Sequence, residues 1–550
     1  MQLDKNLKKR REPIEYLALE GGGGKGVAYL GAIVALEDEG ILPLKPNLAK
    51  TKINAKDRKI EVVSNENTIK GISGASAGAI TGLCLAMGMN SAQLCDVLTA
   101  KTMVWGHSQN VFSSFFDFPY AISYYKRTNQ NGINMDRQGF SDSSIIYYIR
   151  EINNEDGSST YEHFKSSEKS IYDGQGYTGW LKGLAKSKID PKNDPILNAM
   201  FGFTNKTKLK NSKKFDYHLK GLNRNSGLFP GLVARDFLRE LLSKNLSKID
   251  NIKSKIEDYN RTMWIKKQPT TGTLKTYTKH YVDSDTYILD ETLIEMHKKH
   301  FFYNHINYYN LQNLTFEQFY FLTGVNFTVT GANITNKVSL YFSKDRTPDF
   351  PVVDAVLISM NLPGIFPPIW NKADVFQDDK QFSSVCNYNY KAYNSMYKGK
   401  YVDGGIMNNL PIHAFDDVKN VFEFYVDPRK PIKNEIFNKK VLGLRLTENK
   451  NHEDGVVNPE EDFALASSVE ELLFSALQYS EEGKILSKEE REACVDLLTY
   501  ELATTNFTPN QKQVQMPLVD AFGSVFTYLN GYVYRTPRRL RDMILKWDKV

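Results

Sequence analysis

Cysteine is scarce: four residues in 550 (Cys84, Cys95, Cys386 and Cys494), none of them in a C-x-x-C pair. That excludes a small disulfide-stapled scaffold and argues against a structural zinc, so the thiols are expected to be free, as in a reducing compartment. Long apolar runs are lacking too. The longest weakly polar stretch, Gly78 to Met89, is twelve residues and holds a Thr and three Gly, short of the roughly 20 apolar residues a bilayer span needs. The start, MQLDKNLKKRRE, is basic but runs straight into PIEYLALE, with no apolar h-region and no small-residue cleavage site. No Sec signal is expected. A dominant charge of one sign is absent as well. The net charge of +6 is too mild to indicate nucleic acid by itself.

What is present is an ordinary globular balance, 41% hydrophobic and 24% charged residues, which excludes a disordered tail or a coiled coil. The length allows three or four domains, or one large domain carrying insertions. The basic residues are unevenly spread. Between Lys182 and Arg224 eleven Lys or Arg stand against three Asp, which suits either anionic lipid headgroups or a solvated loop.

Along the chain, Tyr16–Leu19 reads as a strand, Gly21–Gly26 as a glycine loop, and Val27–Glu39 as a helix ending at Gly40. A second unit repeats the plan: a strand near Thr68–Ile72, the turn Ser73–Gly78, then a helix of small residues to Met87. Two strand-to-helix units predict an α/β core with a parallel sheet. Further elements are expected at Phe237–Leu242 (helix), Val325–Thr330 with Lys337–Ser343 (paired strands), Val352–Met360 (buried helix), Tyr401–Asp403 and Val441–Leu446 (strands). Arg535–Lys549 reads as a basic amphipathic run. The polar, aromatic-rich text at 104–225 and the polar text at 244–305 read as insertions, the latter with a Thr-rich hairpin near Pro269–Thr278. Residues 421–550 read as mainly helical. No fixed-period repeat is present.

Three motifs carry chemistry. Gly74-Ala75-Ser76-Ala77-Gly78 is a G-x-S-x-G between a predicted strand and a predicted helix, where a serine sits on a tight elbow with the helix dipole behind it. Chance small-residue turns produce the same pentapeptide. Gly21, Gly22, Gly23, Gly24, Lys25 and Gly26 bring backbone N–H groups close to whatever they face, and a developing oxyanion is one candidate. The P-loop pattern fails because Leu19 stands at its first glycine. A dinucleotide fingerprint is formally met by Gly21, Gly23 and Gly26 but leaves the serine elbow unexplained. Asp403-Gly404-Gly405 places a carboxylate at a strand end. Considered alone it is a turn or a general base, and the second role needs a desolvated site to raise its pKa.

In this order, glycine loop, G-x-S-x-G and D-G-G resemble the patatin-like phospholipases. Gly227–Leu242, Leu314-Thr315-Phe316 (an expected approach to a strand) and Asp354 through Pro363-Gly364-Ile365-Phe366-Pro367-Pro368 resemble further segments of the same family, over roughly Glu15 to Phe415. The resemblance implies a three-layer α/β/α sandwich around a mostly parallel sheet over 13–420. It implies phospholipase A or lysophospholipase activity through a Ser–Asp dyad without histidine, metal or organic cofactor. Ser76 would be the nucleophile, Asp403 the base, Gly74 and Gly78 the elbow glycines, the Gly21–Gly26 loop the oxyanion hole, with Lys25 adding charge, and Gly404 and Gly405 the turn after the base.

Gly-Gly-Gly-x-Lys-Gly is most similar to bacterial effector phospholipases of the ExoU and VipD kind. That implies secretion from the bacterial cytoplasm into a host cell, peripheral action at host membranes, and a host activator such as ubiquitin or a small GTPase. A host-protein-binding module on the same scaffold is the alternative. One departure is Leu357, where the family often carries an Arg. The α/β-hydrolase order needs a histidine after the acid, and only His413 and His452 follow Asp403, neither in a catalytic context.

Overall fold

The computed structural model describes residues 13–46, 49–53, 60–104, 107–110, 149–153, 159–163, 232–266, 311–363, 365–366, 368–371, 374–376, 389–416, 437–447, 487–502, 504, 509–531 and 536–547. The basic 182–224 stretch, Gly227–Gly231, the Thr-rich 269–278 segment, Cys386 and His452 lie outside them.

The strands are β1 Tyr16–Leu19, β2 Ala49–Ile53, β3 Ile60–Asn65, β4 Gly71–Gly74, β5 Lys101–Val104, β6 His107–Asn110, β7 Ile149–Asn153, β8 Ser159–His163, β9 Asn326–Asn333, β10 Val338–Ser343, β11 Ile369–Asn371, β12 Gly399–Asp403, β13 Val441–Thr447 and β14 Cys494–Leu498. Eight form the central sheet, in the order β11-β12-β9-β4-β1-β13-β14 with β10 beside β9. β14, β13, β1, β4 and β9 run parallel. β10 and β12 are antiparallel to β9. The fold is α/β with a mostly parallel sheet. β2–β3, β5–β6 and β7–β8 are separate antiparallel hairpins.

Short apolar strands such as YLAL and GISG suit the buried centre of a parallel sheet. Alternation sends Leu17 and Leu19 into the main hydrophobic core, while Ala18 meets Ile412, Val441 and Ala493 on the other face. The first helix, Tyr29–Asp38, follows a 3-10 turn at Gly23–Ala28 and is buried along most of its length. Gly40 takes φ 69° just past its end, as a helix terminus of that kind requires.

Three regions differ from the sequence reading. Leu314-Thr315-Phe316 leads into the helix Phe316–Thr323, not a strand, because Thr315 and Gln318 form a reciprocal cap. The polar text from 244 is not all inserted material. Residues 232–266 form the helices Leu232–Leu246 and Ile252–Lys266, whose Leu246, Ile249, Ile252, Ile256 and Tyr259 are buried in the main core. Their three- and four-residue spacing is masked by the intervening Lys, Asp and Asn. Beyond 420 the chain adds, besides the expected strand β13 next to β1, a second strand, β14, next to β13.

The helix Gln511–Asn530 then packs into the same core through Val514, Leu518, Phe522 and Val525. The basic amphipathic run forms the helix Arg538–Lys546, which turns Leu540, Met543, Ile544 and Trp547 inward. It is pinned outside by Arg539 to Glu37 (3.2 Å) and Asp38 (2.5 Å) and by Lys546 to Asp96. Among the described residues no helix is long and apolar enough to cross a membrane.

Lys255 ties the helix Ile252–Lys266 to the start of β2 and to the helix Phe316–Thr323. Its Nζ donates to the carbonyls of Pro46 (3.2 Å), Ala49 (3.0 Å) and Leu322 (3.1 Å), and burial lowers its pKa. Lys255→Met removes a donor from three carbonyls at once, and the expected cost in urea denaturation is about 1–3 kcal/mol. An unchanged midpoint would show that these three hydrogen bonds contribute little to stability.

Candidate active site

Two strands bring the serine and the aspartate together. On β9, residues 328 and 329 pair with both β10 and β4, and residues 331 to 333 pair with both β10 and β12. Because a strand has only two edges, β4 and β12 share the edge opposite β10 and approach from opposite directions. Gly74 lies opposite Val329 and Asp403 opposite Gly331, so only Thr330 separates the two strand ends. Both chains must leave the sheet there, and Ser76 and Asp403 occupy the two exits.

Ser76 stands at the N-cap of the helix Ala77–Ala86 with φ 47° and ψ −119°. A non-glycine residue held there stores about 1–3 kcal/mol of strain. The elbow closes because Gly78 has no Cβ: one built on it would lie 2.3 Å from the Leu19 carbonyl oxygen and 2.7 Å from that of Glu20. Gly74 in turn lies against the Gly78 carbonyl. The Ser76 N–H donates to Ser359 Oγ (3.0 Å), so this amide is not aimed at substrate.

Asp403 is fully buried. Its N–H donates to the Asn361 carbonyl (2.9 Å), and its Oδ1 accepts the Gly405 N–H (2.7 Å). Burial pushes the carboxyl up to about 7, while the Gly405 N–H and the neighbouring Ser76 hydroxyl hold it down from going further. Oδ2 is buried and takes no well-formed hydrogen bond among the described residues. One acceptor position of this carboxylate is therefore open beside the serine hydroxyl, a bond that can tighten when substrate is bound. Gly404 fits against Thr330.

The glycine loop is fastened at several points. The Gly21 N–H donates to the Asn409 carbonyl (3.1 Å), and Asn409 Nδ2 donates to the Gly21 carbonyl (3.0 Å). Gly24 N–H donates to the Thr504 carbonyl (2.8 Å), and Lys25 N–H to that of Gly22 (3.0 Å). No described group accepts the N–H of Gly22 or Gly23. Gly26 lies against Ala77 of the elbow helix, and the Lys25 side chain is buried. Glu20, just ahead of the loop, is buried as well. Its Oε2 accepts the Leu446 N–H (2.5 Å), and burial pushes it up to about 7.

Below Ser76 opens a mostly apolar cavity, partly open to solvent, bordered by Gly23, Gly24, Val27, Ile80, Leu362 and Phe366 among others. Leu357 is buried among apolar groups, so no guanidinium enters from that position. His413 is bound at both ring nitrogens, Nδ1 to Asp416 (2.7 Å) and Nε2 to Glu490 (2.7 Å), and does not serve the serine.

Ser359, Asn409 and Glu20 escaped the sequence reading. Ser359 sits inside the Asp354–Pro368 text and Asn409 six residues past Asp403, but neither has a spacing that announces its partner. Their partners lie hundreds of residues away, at Ser76 and Gly21. Glu20 falls between the predicted strand and the glycine loop and belongs to neither pattern.

The patatin-like phospholipase family model matches residues 17–416. No curated protein resembles the chain closely enough in sequence to count as a match. Among solved structures, VipD from Legionella pneumophila is 17% identical with a TM-score of 0.35, the alignment covering 96% of this chain and 71% of that one. The type III effector protein ExoU is 14% identical with a TM-score of 0.27, covering 94% and 53%. Full-length ExoU in complex with SpcU, from the type III secretion system of Pseudomonas aeruginosa, is 14% identical with a TM-score of 0.26, covering 96% and 54%. The chain thus spans about half the length of ExoU.

The end of the helix Val352–Ser359 holds both exits, since Ser359 also accepts the Gly404 N–H at its carbonyl (3.3 Å). Ser359 is therefore a positioning residue. Ser359→Ala leaves the Ser76 N–H without its acceptor, and the labelling rate of Ser76 by a fluorophosphonate should fall about tenfold. Ser359→Thr, which keeps the hydroxyl, should retain most of the rate. Equal rates in all three, at equal thermal midpoints, would remove that role.

Proposed function

The chain belongs to the patatin-like phospholipase family, a family of lipid-ester hydrolases, and we propose that it cleaves phospholipid acyl esters through Ser76 and Asp403. The observation that carries this reading is a buried carboxylate with an open acceptor position beside a serine on a strained elbow, at the mouth of an apolar cavity. Asp403 takes the Ser76 hydroxyl proton as Oγ attacks the ester carbonyl. The free N–H groups of Gly22 and Gly23 stabilise the oxyanion, with the positive end of the helix Ala77–Ala86 behind them. Gly24 joins them only if Thr504 gives up its N–H. The Asp403 proton passes to the leaving lysophospholipid. Water, activated by the same carboxylate, then releases the fatty acid from Ser76. No step calls for a metal or an organic cofactor.

The glycine-loop text resembles that of bacterial effector phospholipases, and on that resemblance we read the protein as an effector. It would be secreted into a host cell, act peripherally at its membranes, and be switched on by a host protein such as ubiquitin or a small GTPase.

Fatty-acid release from mixed phospholipid vesicles, with and without eukaryotic cell lysate, tests both levels. Ser76→Ala and Asp403→Asn are each expected to lower release by at least about 10³-fold. Dependence on lysate would support the activator. No release by folded wild type under either condition would turn the reading to a host-protein-binding module.

The pH profile follows from Asp403. Its folded-state value is raised to about 7, so below that pH the carboxyl is protonated and cannot accept the serine proton, and above it the base is available. Wild-type kcat/KM should rise with pH along a limb centred near 7. A limb near 4, the ordinary carboxylate range, would mean that the base is solvated during turnover.

A further inference from the structure

The cavity below Ser76 has a direction. Ser76, Ile80 and Cys84 are spaced four residues apart, so they stack along one face of the helix Ala77–Ala86. The opposite wall is a single face of the helix Ser91–Thr99, with Leu94, Val97 and Leu98 at three- and four-residue spacing. A short turn joins the two helices directly, so the first turn of the second, with Leu94, lies near the last turn of the first, with Cys84. The cavity is thus a groove lined from Ser76 down between two helices to Cys84 and Leu94. Cys84 is fully buried, and Leu94 is 3% exposed.

Its remaining side is closed from outside the family segment. Pro509 and Trp547 both line the cavity, whereas the family match ends at residue 416. Trp547 is held there by the helix Arg538–Lys546, whose ion pairs to Glu37, Asp38 and Asp96 fix it over the first and third helices of the chain.

We propose that this groove holds the fatty acyl chain of the ester that Ser76 attacks, and that Cys84 and Leu94 at its base set the acyl length accepted. The proposal rests on the hydrolase reading above. Eight residues of helix from Ser76 to Cys84 amount to about 12 Å. At C–C bond lengths near 1.5 Å in an extended zigzag, that depth takes roughly nine carbons. Longer chains must bend or leave their ends outside. Away from Ser76 and the glycine loop the lining is aliphatic or aromatic except for Thr81 and Cys84, and no charged side chain borders it to meet a headgroup. The occupant is hydrocarbon.

The experiment compares kcat/KM for para-nitrophenyl butyrate, decanoate and palmitate in full-length wild type, Cys84→Phe, Leu94→Ala and Ser76→Ala. Cys84→Phe fills the base, and the decanoate-to-butyrate ratio should fall at least tenfold. Leu94→Ala deepens it, and the palmitate-to-decanoate ratio should rise several-fold. The second variant removes volume, so it tests the proposal even where the bulkier one does not fold. Ratios unchanged in both variants, with hydrolysis still lost in Ser76→Ala, would overturn the groove and leave the hydrolase reading standing. If no ester is cleaved in a Ser76-dependent way, the hydrolase reading itself fails.

Discussion

β4 and β12 run head-on along one edge of β9, and a single residue, Thr330, separates their ends. Neither strand can continue, because each blocks the other's path along the edge. Each chain must turn out of the sheet at that point, β4 into the helix that Ser76 caps and β12 into the Gly404–Asn409 turn. Ser76 and Asp403 are neighbours because two backbones compete for one line of hydrogen bonds.

Everything around that collision keeps the two exits in register. Ser359 takes the Ser76 N–H on its side chain and the Gly404 N–H on its carbonyl. Asn409 grips Gly21 from both sides. The serine elbow, the aspartate turn and the glycine loop are thereby fixed to one another by groups that are themselves buried. The same burial that positions Asp403 raises its pKa, since a carboxylate removed from water holds its proton more tightly. Position and basicity thus have one cause. Glu20, just ahead of the glycine loop, is buried as well and accepts the Leu446 N–H of β13.

The C-terminal part of the chain is woven into this frame. β13 lies directly against β1, the helix Gln511–Asn530 packs on the helix Tyr29–Asp38, and the Thr504 carbonyl takes a donor from the glycine loop. The segment that the family model matches, residues 17–416, therefore lacks an edge of its own sheet and a wall of its own cavity. Any change in how the last fifty residues dock would be felt at Gly24 and beneath Ser76.

The sequence by itself determined what is local. Strand, glycine loop and helix at 16–39, the serine elbow at 74–78, the hairpin of β9 and β10, the buried helix at 352–359 and the Asp-Gly-Gly turn all rest on short-range pattern: apolar periodicity and the glycines that tight turns require. So did the likeness to the family, because its motifs are contiguous. Only the tertiary structure decided what is long-range. It placed β12 on the edge of β9 that β4 already occupies, gave Ser359 and Asn409 partners 283 and 388 positions away, and drew the helices of 232–266 and of the C-terminal region into the core. Those pairings depend on which surfaces meet after folding, and polar residues on the outer faces of the same helices hide the inner ones from any linear reading. The pKa of Asp403 belongs to that second class as well, since desolvation is a property of the surroundings and not of the residue.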